Sequence, residues 1–160
     1  MLLKEFSDNP EYIKAGYLYN LTKFIFWPQN AFNFSLSPFL IGIYGDQSIS
    51  TVLVNTLRNK QIQNREWKVD FYPAIKSIQY CHMLFVTEID ITEAKLLIST
   101  LYDKQILIVA DNIDKFCENG GMINLVGTNP NFGYQINLKA LNNSRLNVSP
   151  EFLELATIIE

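Results

Sequence analysis

Three acids, two thiols and one imidazole are the groups of this 160-residue chain best placed by sequence to do chemistry. Asp46 follows the run "FLIGIYG", Glu88 follows "CHMLFVT", and Asp111 closes "QILIVAD". Carboxylates just beyond β-rich runs sit where open α/β sheets gather their ligands. Gly45, Gln47, Ser48, Thr87 and Asn112 would share that edge. Yet "YGDQS" has neither the glycine spacing of a dinucleotide fingerprint nor the lysine of a phosphate loop. The same acids have structural work open to them: Asp46 as the cap of the helix that follows, Asp111 as the cap of a helix from 112. A small-molecule or nucleotide site on Asp46, Glu88 and Asp111 is the alternative functional reading.

His82 is the only histidine and lies inside an apolar run. No glycine-elbow serine, His-rich ligand cluster or second base accompanies it, so a core or interface role is expected rather than catalysis. Cys81 and Cys117 lack CxxC spacing, which argues against zinc and thioredoxin-like chemistry. Their positions leave two readings open, a bridge across one end of the sheet or two buried free thiols. No catalytic set, metal site or cofactor motif emerges.

The elements that position these groups follow from the hydrophobic pattern. A helix is expected over 10–27, capped by Ser7 or Asp8, with Pro10 in its first turn and Pro28 as its stop. Ile13, Tyr17, Leu21 and Phe24 form its apolar stripe, widened by Leu18 and Ile25. Strands are expected at 39–45 and 66–73. The continuous apolar runs 81–87 and 105–111 predict strands covered on both faces. Helices are expected at 46–60 and 91–103, with a short one at 112–118 stopped by Gly120 and Gly121. Runs 122–127 and 132–138, joined by "TNPN", predict an antiparallel hairpin at one sheet edge. A last helix, capped by Ser149, starts at Pro150 and runs to the end. The alternation predicts a three-layer α/β sandwich: a mostly parallel, Rossmann-like sheet, the edge hairpin and the aromatic-rich N-terminal helix. One domain is expected over 1–160.

Composition narrows the partners. A net charge of −3 with no basic run argues against nucleic acid. No stretch reaches the roughly 18 apolar residues of a membrane span, so no direct insertion is expected. "MLLKEFSDNPEY" turns charged at Lys4 and shows no leader peptide. Tyr19, Phe26 and Trp27 fall off the helical stripe, and surplus rings of that kind suit a protein–protein interface.

In order along the chain, "IKAGYLYNLTKFIFWP", "FLIGIYGD", "YCHMLFV", "ILIVAD", "FCENGGMINLV" and "FGYQINLKALNNSRLNVSPEFLELA" resemble the YfiR/HmsC-like family of bacterial periplasmic proteins. Arg145 and Leu146 stand where that family commonly has glycine and leucine, and Pro150 replaces a small residue. The resemblance implies a periplasmic regulator whose leader has been removed. Its partner would be the periplasmic sensor portion of a membrane-anchored diguanylate cyclase, which it would repress. It also implies a homodimer and, because Cys81 and Cys117 match family cysteines, a disulfide between them. Further family disulfides have no counterpart, since the chain has no other cysteine.

Overall fold

The apolar runs of the sequence become the central strands. The computed structural model describes residues 9–128 and 131–160. Helices are α1 (Pro10–Phe24), α2 (Ile49–Leu57), α3 (Ile91–Leu101), α4 (Leu138–Asn143) and α5 (Pro150–Leu155). Strands are β1 (Ile25–Phe26), β2 (Phe39–Tyr44), β3 (Trp67–Tyr72), β4 (Met83–Val86), β5 (Leu107–Asp111), β6 (Ile123–Thr128), β7 (Asn131–Ile136), β8 (Asn147–Val148) and β9 (Ala156–Ile158). The main sheet has seven strands in the order β3-β2-β4-β5-β6-β7-β9. Pairing is parallel from β3 through β6, antiparallel between β6 and β7, and parallel again between β7 and β9.

Alternation along the buried strands sends side chains to two cores. Met83, Phe85, Leu107 and Val109 face the first, with Ala15, Leu18 and Leu21 of α1 and Leu53 and Leu57 of α2. Leu84, Val86, Ile108 and Ala110 face the second, against Ala94, Leu97 and Leu101 of α3. Helices thus cover both faces, and the three-layer, mostly parallel reading holds. Each fully buried Leu or Phe stabilises the fold by roughly 1.5–3 kcal/mol.

Several boundaries differ from expectation, each for a local reason. The expected caps of the first helix, Ser7 and Asp8, lie outside the described residues; Asn9 accepts the Glu11 N–H at 2.9 Å and caps it. That helix ends at Phe24 rather than Trp27. Gln63 donates to the carbonyls of Thr22 and Ile25 at 3.1 and 2.8 Å, satisfying its end. Ile25 and Phe26 then pair with Val148 and Asn147 as a separate two-stranded ribbon. The helix expected over 112–118 shrinks to a 3-10 turn at Cys117–Asn119. Asn112 and Lys115 take left-handed angles (φ 52° and 64°), and Asn124 captures both backbone groups of Ile113.

At the C-terminus α5 stops at Leu155, and Ala156–Ile158 enter the sheet beside β7. The hairpin forms in the expected register zone, although residues 129–130 of its turn lie outside the described ones. It sits one strand in from the edge, because β9 covers it. The unforeseen α4 is capped by Asn137, whose side chain accepts the Ala140 N–H at 3.0 Å.

Candidate functional site

The carboxyl end of the sheet does gather the expected acids. Gly45 turns the chain out of β2 with φ 109°, so close that an added Cβ would sit 1.7 Å from the Thr87 carbonyl oxygen. Asp46 donates its N–H to Thr87 Oγ1 at 2.8 Å, knitting β2 to β4. Its carboxylate accepts the backbone N–H and the hydroxyl of Ser48, both at 2.9 Å. Those bonds hold the Asp46 pKa below the usual carboxylate value. Asp46 thus closes a turn ahead of α2 instead of capping the helix directly. Glu88 occupies a left-handed position (φ 55°), and Asp90 caps α3 by accepting the Glu93 N–H.

Asp111 is no helix cap: its Oδ2 accepts Lys14 Nζ of α1 at 3.0 Å, in a partly buried ion pair. Glu11, one turn before Lys14, has its pKa raised by burial. Lys14 opposes that rise, while Asp111, Asp46 and Glu88 add to it. Glu88 and Asp111 border a cleft of about 640 Å³ together with Lys14 and Lys115, and Asp46 lies outside it. Among the described residues, no group of three or more His, Cys, Asp and Glu side chains is placed to hold a metal ion.

At the amino end of the sheet, His82 organises an aromatic knot. Its Nδ1 accepts the Leu40 N–H at 2.9 Å, and its Nε2 faces the Ala31 carbonyl at 2.9 Å. That pair of partners assigns the neutral Nε2–H tautomer. Phe32 stacks on the ring at 4.2 Å and Phe39 at 5.0 Å, with Trp27 and Tyr80 edge-on. Burial drags the His82 pKa down to about 4; the Ala31 bond opposes this and Arg65 adds to it. The expectation of a core histidine is met in structure.

The surplus rings divide. Trp27, expected to face a partner, is buried: its Nε1 donates to the His82 carbonyl at 3.1 Å and its ring meets Phe39 edge-on. Tyr19 is half-buried against the first core, with Lys23 Nζ 4.7 Å over its ring. Phe26 remains 44% exposed. Tyr17 explains much of the helix's ring count. Its hydroxyl donates to the Phe132 carbonyl, its carbonyl accepts the Tyr134 hydroxyl, and both rings meet it edge-on.

Sequence reasoning missed the loop after Pro28. Phe34 and Leu36 are 65% and 84% exposed, on a segment gathered by Arg65. The Arg65 guanidinium donates to the carbonyls of Phe34, Ser35 and Ser37 and stacks 3.7 Å over Phe32. Phe34 and Leu36 thus stand exposed on a held loop, and Tyr80, edge-on to His82, is partly exposed as well. "FNFSLS" carried the available signal, three large apolar residues alternating with small polar ones.

The expected disulfide is absent. Cys81 and Cys117 are free, buried thiols. Both do sit towards the amino ends of the strands, but they lean apart sideways. Cys81 Sγ lies over Gly42 of β2, whereas Cys117 Sγ approaches the carbonyls of Met122 and Gln135 on the β6–β7 side. Cys81 leads into β4 and Cys117 packs at the start of β6, so β5 stands between them, and two strand spacings of about 4.8 Å each exceed the roughly 7 Å Cα reach of a disulfide. Burial raises both thiol pKa values to about 12. Both thiols and the imidazole are held away from the near-neutral titration that a nucleophile or base needs.

The YfiR/HmsC-like family model matches residues 11–157. The chain belongs to that family. YfiR/HmsC-like proteins are periplasmic regulators in cyclic-di-GMP signalling, a regulatory family rather than an enzymatic one. No individual curated protein matches the sequence. Among the described residues, no helix is long and apolar enough to cross a membrane. In this YfiR/HmsC-like chain the matched span carries both ends of the sheet, from Glu11 and Lys14 to the strand β9.

Proposed function

We propose that this chain acts in the periplasm as a binding regulator that represses a membrane-anchored diguanylate cyclase, so lowering cyclic-di-GMP. The observation that supports it is the exposed pair Phe34 and Leu36, carried on a loop that Arg65 and His82 hold in place. Aromatic and aliphatic anchors projecting from a held loop are what protein interfaces use as hot spots. The partner in this reading is the periplasmic sensor portion of the cyclase, a choice that membership of a YfiR/HmsC-like family favours. Co-purification with that portion, expressed from the same genome, tests the reading; failure to co-purify counts against it.

A homodimer is a second proposal, favoured by a different place. Strand β9 is an outer strand of the sheet, and Leu155 and Ile158 beside it are exposed. Light scattering at micromolar concentration returns twice the chain mass on this reading, and a single chain mass refutes it.

A further inference from the structure

The loop of residues 29–38 is held at two points, and only one of them can titrate. Arg65 grips the far half through three carbonyls and stays charged at any ordinary pH. His82 grips the near half through the Ala31 carbonyl and the Phe32 face, while its other nitrogen takes the Leu40 N–H. We propose that His82 is an acid-sensitive latch, whose protonation releases the loop carrying Phe34 and Leu36 from the amino end of the sheet.

The chemistry is a conflict of donors. A proton on Nδ1 points at the Leu40 N–H, so two donors face each other across 2.9 Å and that bond is lost. Among the described residues no carboxylate acts on the ring to offset the new charge. From the loop it meets Ala31 and Phe32, from β2 Phe39 and Leu40, and from the segment after β1 Trp27. From its own element it meets Tyr80, a phenol whose pKa burial pushes up to about 12, and its neighbour is the neutral thiol of Cys81. The one cation acting on it is Arg65, beyond Phe32, and it repels the imidazolium. The Ala31 carbonyl and the ring faces favour the cation, but they do not restore the Leu40 bond. The backbone of His82 stays fixed because its carbonyl accepts the Leu107 N–H at 2.9 Å. Release therefore falls on the loop side and spares β4.

Because His82 is the only histidine, its ring gives a single set of nitrogen resonances in the intact protein. Nitrogen NMR from pH 7.5 to 3.5 is run beside amide exchange corrected for intrinsic rate. The expected result is the Nε2–H tautomer at neutral pH, protonation below pH 5, and at least about a tenfold loss of protection at Leu40 and over 29–38 in the same window, with β4 and β5 still protected. The variant His82→Gln should show no such step, and the wild-type resonances decide the matter if that variant does not fold. Ring protonation with Leu40 and the loop still protected overturns the latch. So does loss of protection that appears only together with the whole sheet. Neither readout depends on whether the loop meets a cyclase.

Discussion

Lys14 Nζ lies 3.0 Å from Asp111 Oδ2, a pair that joins the first helix to the carboxyl end of β5 across almost a hundred residues of chain. The same lysine opposes the burial-driven rise of Glu11. Lys14 thus serves two acids, Asp111 and Glu11, at the carboxyl end of the sheet. Of the strand-end carboxylates that looked like a ligand set, Asp46 and Asp111 are engaged by the fold itself.

Replacing Lys14 with Met should therefore lower stability by about 1 kcal/mol at pH 7. The loss should shrink towards pH 4, as Glu11, whose pKa burial raises, takes up a proton and no longer needs a cation. Urea melts at the two pH values check the direction. An equal loss at both would mean that the packing of the lysine stem, not its charge, matters.

The turn at Gly45 should tolerate no side chain. A Cβ 1.7 Å from the Thr87 carbonyl oxygen, at φ 109°, forces β2 and β4 apart at their ends. Gly45→Ala is expected to cost about 3 kcal/mol or more, a drop of roughly 10 °C in Tm.

Both cysteines should resist alkylation in the native protein at pH 8 and take two labels in denaturant. Their pKa values are raised by burial, so the stability they contribute is full below the unfolded thiol value of about 8.5 and drains away above it. Intact mass without reductant should show both thiol hydrogens in place. A mass two hydrogens lighter would restore the bridge.

His82 works in the other direction. Its pKa is depressed to about 4, so the unfolded chain takes up a proton first as pH falls below about 6.5. Stability should then decline between pH 6.5 and 4 by on the order of 2 kcal/mol from this group. His82→Gln should flatten that part of the profile, whatever its stability at pH 7.

How far the fold was legible depended on whether a signal was local. "CHMLFVT" and "QILIVAD" read correctly as doubly covered strands because nothing but a buried sheet accepts so continuous an apolar run. Trp27 misled because a helical wheel was extended past Phe24. The chain leaves the helix there, and Gln63, a distant residue, closes its end. The strand β9 was hidden by the helical "SPEFLEL" before it, although β-branched Thr157, Ile158 and Ile159 hinted at the change. The two cysteines were correctly sent to one end of the sheet. Sequence alone could not show that strand β5 would separate them. Arg65 was invisible for the same reason, since its partners lie some thirty residues away.

The central claim is that this chain regulates by binding through its exposed apolar loop. Titration calorimetry against the purified periplasmic portion of a membrane-anchored diguanylate cyclase tests it, using wild type and the double variant Phe34→Ser, Leu36→Ser. Both residues are exposed, so urea stability should stay within about 0.5 kcal/mol of wild type. The expected result is saturable binding by wild type and a Kd weakened at least about tenfold in the variant. No binding by wild type, or equal binding by both proteins, contradicts it.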